Sequence, residues 1–233
     1  MTRLTLLAPL FAAVVLLPVD ALAEPEAPTE PTPPATFDWN KPSLAVNLGL
    51  IQPLLLGGGN VEVDLRVHGF IVSYSHGWSL DLENSTVGGD MREQHVALHL
   101  PYSTGLGVGY GFHSDALRSF FDLRAEAKVH RFETSYASAD EKTKTSIADY
   151  TTYTLGGGVY WTYLPFAHRT DLLRGLDVST SFRFWPNVAT TLAGDRIDYP
   201  NRTTGKTETH QAANIGIANT PMLFNVSVGY AFQ

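Results

Sequence analysis

The chain has 233 residues, 44% hydrophobic, 17% charged and none cysteine, with a net charge of -7. That composition is too apolar for a disordered chain and offers neither a disulfide framework nor a cysteine metal site. The acidic balance argues against nucleic acid, whose phosphates need a basic face. A mean hydropathy of -0.05 excludes a helical membrane protein, but it also fits an apolar wall averaged with a charged one.

Met1 to Ala23 reads as a secretory signal peptide: Arg3 gives the positive start, Leu4 to Leu17 the apolar stretch, and Ala21-Leu22-Ala23 the small residues a signal peptidase reads. Export, with a mature chain starting at Glu24, is the expectation. Residues 24–42 carry Pro25, Pro28, Pro31, Pro33, Pro34 and Pro42. Such a tract favours extended backbone that buries nothing, so it reads as a solvated linker before a domain spanning 43–233.

From Ser43 the apolar period is two. Leu44, Val46, Leu48 and Leu50 form one row; Val61, Val63, Leu65 and Val67 form the next. Phe70, Val72, Tyr74, His76, Trp78 and Leu80 continue on even numbers, a change of parity that a two-residue turn at His68-Gly69 explains. In 92–112, Val96, Leu98, Leu100, Tyr102, Leu106, Val108, Tyr110 and Phe112 are all even. Despite Pro101, this predicts one long strand with a single outer row. Strands over 119–135, 150–163, 175–186 and 222–232 bring the total to eight, with Ser75 and Ser79 pointing inward. Long polar connections at 136–149 and 187–221 alternate with shorter turns, the pattern of an outer-membrane barrel. Ile215 and Ile217 suggest that the last long loop folds back as an extra strand segment.

On these features the chain resembles small outer-membrane β-barrel proteins of Gram-negative bacteria, of the OmpA/OmpX-like eight-stranded architecture. The resemblance covers residues 43–233. Its most specific part is Phe224-Asn225-Val226-Ser227-Val228-Gly229-Tyr230-Ala231-Phe232, like the closing strand read by the barrel-assembly machinery in these proteins, although Gln233 follows the terminal aromatic. Gly105-Leu106-Gly107-Val108-Gly109-Tyr110 is also typical. The resemblance implies an all-β, antiparallel, up-and-down transmembrane barrel in the outer membrane, contacting lipid and lipopolysaccharide. A soluble barrel or sandwich would instead need a polar wall where this one is apolar.

The two faces then divide the candidate residues. Trp78, Tyr102, Tyr153, Trp161, Tyr163, Tyr230 and Phe232 lie toward strand ends on the outer row, as an aromatic girdle would. Glu62, Asp64, Arg66, His95, His99, Asp122, Arg124, Glu126, Lys128, His130, Asp177 and Arg183 are expected inside, as a lumen charge network. A turn centred near Asp115 would set Gly105, Gly107 and Gly109 opposite Glu126, Arg124 and Asp122, with Gly156 and Gly158 on the other side, small residues beside long ones.

No metal or cofactor site is expected: His95 and His99 are about 13 Å apart on a strand and cannot share an ion. His76 falls on the outer row, where an ionisable group invites a functional hypothesis. Some barrels of this size are lipid A deacylases with an outer-wall histidine, but Trp78 stands where a nucleophilic serine would be needed. The expected function is therefore structural or binding, through the extracellular loops of a monomer. A lipid A-modifying acyl hydrolase or transferase and a narrow small-solute channel are the alternatives.

Overall fold

The computed structural model describes residues 36–82, 96–136, 145–202 and 204–233. The signal-peptide segment and His95 lie outside the described residues. Eleven strands are present: β1 (Ser43–Gly49), β2 (Gly59–Val67), β3 (Phe70–Asp81), β4 (Val96–Ser114), β5 (Ser119–Tyr136), β6 (Ser146–Tyr163), β7 (Leu176–Phe184), β8 (Asn187–Thr190), β9 (Arg196–Pro200), β10 (Thr207–Gln211) and β11 (Met222–Phe232). The first seven and β11 pair in antiparallel sequence, and the β5–β6 and β1–β11 ladders close them into an eight-stranded barrel. Closure leaves no unpaired strand edge in the wall.

Both ends of the described chain lie at the short-turn end. There His68 and Gly69, at φ 50° and 84°, form the two-residue turn that pairs Val67 with Phe70. The long connections gather at the other end. The largest, 185–221, does not hang free: β8 pairs with β6, and β9 and β10 form a hairpin. Its extra strand segment is therefore at 187–190. Ile215 instead packs into a core cluster, and Ile217 opens a short helical turn, Ile217–Asn219, because the loop must turn sharply before Pro221.

The outer wall is apolar. Leu123 is 67% exposed, Phe70 66% and Leu106 62%, far more continuous apolar surface than a soluble monomer presents. The row on each strand between them points inward and is buried.

Three sequence expectations need correction here. First, the even row of 92–112 does not keep one face. β4 is a single strand from Val96, but its register against β5 shifts between His99 and Tyr102, so Leu100 and Pro101 together oppose Phe132. This β-bulge exchanges the two faces. Tyr102, Leu106 and Val108 point outward, whereas Val96, Leu98 and Leu100 are buried inside. Pro101 sits in the bulge, where a missing N–H is tolerated. On β3 the same rung carries Ser79 at φ 52°, so Leu80 turns inward and Ser79 is exposed rather than inward-facing. Second, the β4–β5 register is displaced by two residues from expectation: Gly107 faces Glu126, Gly109 faces Arg124 and Gly111 faces Asp122. The connection is the four-residue turn Asp115–Arg118, centred one residue later than expected, which moves the hairpin axis.

Third, residues 36–42 are not solvated throughout: Asn40, Lys41 and Pro42 are exposed, but Phe37 is buried. Phe37 is 4% exposed, its N–H donates to the Ala167 carbonyl at 3.0 Å, and it packs with Ala45, Phe120, Leu164, Ala167 and Ala231. Apolar burial of this strap outweighs the extended bias of the neighbouring prolines. Residues 24–35 lie outside the described residues.

Candidate functional site

The interior is organised in three levels. The middle level is charged. Arg124, fully buried, is its hub: Nη1 donates to Glu62 Oε1 and Asp64 Oδ1, both at 2.8 Å, and Nη2 to Asp64 Oδ2 at 2.8 Å and Asp122 Oδ2 at 2.9 Å. The fork on Asp64 is the bidentate geometry a planar guanidinium favours. Arg183 Nη2 donates to Glu62 Oε2 at 2.6 Å, and Arg66 Nη2 to Asp122 Oδ2 at 2.7 Å. Glu126 accepts from the Tyr160 hydroxyl at 2.7 Å and the Trp185 indole at 2.6 Å, with Lys128 Nζ at 3.7 Å. Lys128 also donates to Ser75, and its ammonium lies 4.2 Å over the Trp185 ring. His130 bridges Ser103 at 2.8 Å and Thr154 at 3.0 Å.

Alternation alone delivers these groups. β2 contributes Glu62, Asp64 and Arg66 on one face, and β5 contributes Asp122, Arg124, Glu126, Lys128 and His130. Room for them comes from glycine: a Cβ on Gly109 would approach Arg124 Cγ at 2.9 Å, and one on Gly107 would approach Glu126 Cγ at 3.3 Å. Asp177 is buried at 3% exposure, with neither carboxylate oxygen hydrogen-bonded among the described residues.

His99 does not join this level. The bulge turns it outward, where Nδ1 lies 2.7 Å from Asp81 Oδ1 at the long-loop rim. Trp185 and Tyr160 are the members that sequence reasoning missed. Tyr160 sits on the inward row of β6, a signal its phase carried. Trp185, two residues after Arg183 and within the predicted strand 175–186, continues the inward row of Arg183.

Above the charges, toward the long loops, lies an apolar level. Leu80, Leu82, Val96, Leu98, Leu100, Phe132, Tyr136 and Tyr150 pack with Ile197, Tyr199 and Ala213 of the folded loop. Phe132 stacks on Tyr150 at 5.0 Å, and the Tyr150 hydroxyl accepts from the Ala213 N–H at 3.2 Å. In the loop hairpin, burial and then the Glu208 carboxylate push the Tyr199 phenol up to about 12. Below the charges, at the short-turn end, Phe37, Trp39 and Phe120 form an aromatic level, with ring centroids 5.0 to 6.1 Å apart.

On the outer wall, Trp78 and Tyr102 are paired across β3 and β4 on the rung below the bulge. Tyr153 is outward on β6. Trp161 and Tyr163, and Tyr230 with Phe232, point outward near the short-turn end. His76 is outward too, its ring between Tyr74 and Trp78 with centroids at 6.4 and 6.2 Å. Its cross-strand partners are Val61 and Thr104, and Thr104 is hydrogen-bonded to the Tyr74 hydroxyl. These immediate neighbours include no carboxylate to orient a general base.

No family model matches the sequence, and no curated protein matches it. Solved structures do. A major outer membrane protein from Thermus thermophilus is 15% identical with a TM-score of 0.44, over 82% of this chain and 100% of that one. Outer Membrane Protein W of E. coli is 13% identical with a TM-score of 0.41, over 82% and 97%. The N-terminal β-barrel domain of Pseudomonas aeruginosa OprF is 11% identical with a TM-score of 0.40, again over 82% and 97%. The ring closed by the chain's own ladders, apolar outside and with a charged level within, is an eight-stranded antiparallel β-barrel of the outer-membrane type.

Proposed function

We propose that the protein is a monomeric outer-membrane barrel with a plugged lumen, whose role is structural or binding and is exercised through the long-loop end, facing the cell exterior. The observation that carries this reading is the interior filled at three successive levels: apolar, charged and aromatic. An eight-stranded lumen is about side-chain width, so this filling opposes the narrow-channel alternative.

Membrane insertion is supported by the height of the apolar wall. From Tyr102 to Phe112 the strand rises roughly 34 Å at about 3.4 Å per residue. A tilt of about 40° projects this to roughly 26 Å, matching the apolar band of such barrels. Trp78, Tyr102 and Tyr153 then form one girdle and Trp161, Tyr163, Tyr230 and Phe232 the other, in contact with lipid and lipopolysaccharide. The girdles lie where amphipathic rings meet headgroups. The aromatic-rich β11 is the segment the barrel-assembly machinery would read after export.

Membrane fractionation with a heat-modifiability gel tests the reading. Recovery in outer membranes with a mobility shift on boiling is expected; a soluble periplasmic protein without a shift would overturn it. The outward His76, with an unpartnered buried Nδ1, supports a second reading, lipid A acyl hydrolysis or transfer. That reading requires lipid A mass to change on overexpression and revert in His76→Ala; an unchanged spectrum removes it.

A further inference from the structure

The arginines of the charged level are not used equally. Arg124 donates four hydrogen bonds and Arg183 two, whereas Arg66 makes one among the described residues, from Nη2 to Asp122. The Arg66 side chain is only 7% exposed, and its Nε is buried without a partner. Its guanidinium is nevertheless held firmly, 4.6 Å over the Phe120 ring. A buried cation with unused donors leaves hydrogen-bonding capacity for another group.

Arg66 forms part of the lining of a cavity of about 390 Å³ at the short-turn end, beside the strap formed by residues 36–42. Trp39, Tyr110 and Phe120 supply flat apolar walls, and Lys41 adds a second positive charge. Asp122 is the acidic group of the lining: its Oδ2 accepts from both Arg66 and Arg124, while its Oδ1 is buried without a partner among the described residues. At the rim, Asp38 is paired with Lys41 at 3.8 Å and Asp115 with His113 at 3.4 Å. The cavity thus combines an anchored, under-used guanidinium with aromatic walls, in the size range of small-ligand sites.

We propose that this cavity is a binding site for a small planar organic carboxylate. The carboxylate takes the free donors of Arg66, a geometry its fork suits, and the planar body lies against Trp39 and Phe120. The guanidinium donors of Arg66 that Asp122 does not take select a carboxylate over a neutral isostere.

Benzoate, with benzamide as the uncharged control, tests this on the detergent-folded protein by following the Trp39 indole N–H in nuclear magnetic resonance. Benzoate is expected to shift that signal saturably and to bind about ten-fold or more tightly than benzamide, as a charge-assisted hydrogen bond implies. Arg66→Gln should abolish that preference. Should Arg66→Gln fail to fold, Trp39→Leu, read by calorimetry, should weaken benzoate about ten-fold by removing a wall. Equal binding of benzoate and benzamide, no saturable shift at Trp39, or unchanged affinity in Trp39→Leu would each overturn the proposal.

Discussion

The middle and upper levels of the barrel interior are built on the same strands with opposite chemistry. β4 and β5 frame Arg124 and Glu126 below the bulge, and Leu100 and Phe132 above it. Below, long charged side chains need glycines opposite them and pair with one another around Arg124. Above, aliphatic and aromatic side chains face each other and are sealed by a folded loop. The change takes one rung, where Pro101 in the bulge faces Ser79 in a left-handed conformation. A single extra residue thus converts a lipid-facing row into a core-facing row without changing its hydrophobicity.

The largest expected effect comes from emptying the middle level. Arg124→Leu leaves Asp64, Asp122 and Glu62 without their shared counter-charge. Breaking a buried ion network in this way costs about 3–5 kcal/mol, so urea titration read by heat-modifiable mobility should show loss of most of the folded population. Leu100→Ala probes the upper level. A cavity there costs about 2–4 kcal/mol, read by the same urea titration, and it opens beside Trp185, which lines a small cavity with Leu100.

Next comes the loop hairpin, through pH. Tyr199 in the folded state titrates at about 12, above its unfolded value of about 10. Raised in the folded state, the phenol contributes stability that is fully present below the unfolded value. That contribution is lost as pH rises through the folded value. The hairpin should therefore loosen between about pH 10 and 12, seen as late-titrating phenolate absorbance that Tyr199→Phe removes. The smallest effect is at the kink itself. Ser79→Gly relieves a left-handed backbone and should stabilise by about 1 kcal/mol, whereas Ser79→Val should destabilise by about as much; thermal unfolding of the pair measures both.

The same contrast explains what was legible in the sequence. Parity identified the eight strands and the His68-Gly69 turn. It also identified the rows carrying Glu62, Asp64, Arg124 and Lys128, because a charge on a strand of period two reports its face directly. Parity could not separate Leu106 from Leu100, since lipid and a dry core select the same residue type. His99 was misassigned for that reason: the phase seemed unbroken because both sides of the bulge are apolar on even numbers. The strap around Phe37 was hidden by its prolines, and the loop hairpin by a polar composition with no apolar row of period two longer than Ile197 and Tyr199 to mark its strands. Tyr160 and Trp185 could both have been found by extending inward rows, that of β6 and that of Asp177 and Arg183.

Single-channel recording in planar bilayers tests the plugged lumen most directly. The account predicts that the folded wild-type barrel, inserted as verified by its heat-modifiable mobility, gives no stable unitary conductance. Large, long-lived openings of the wild-type protein would contradict it.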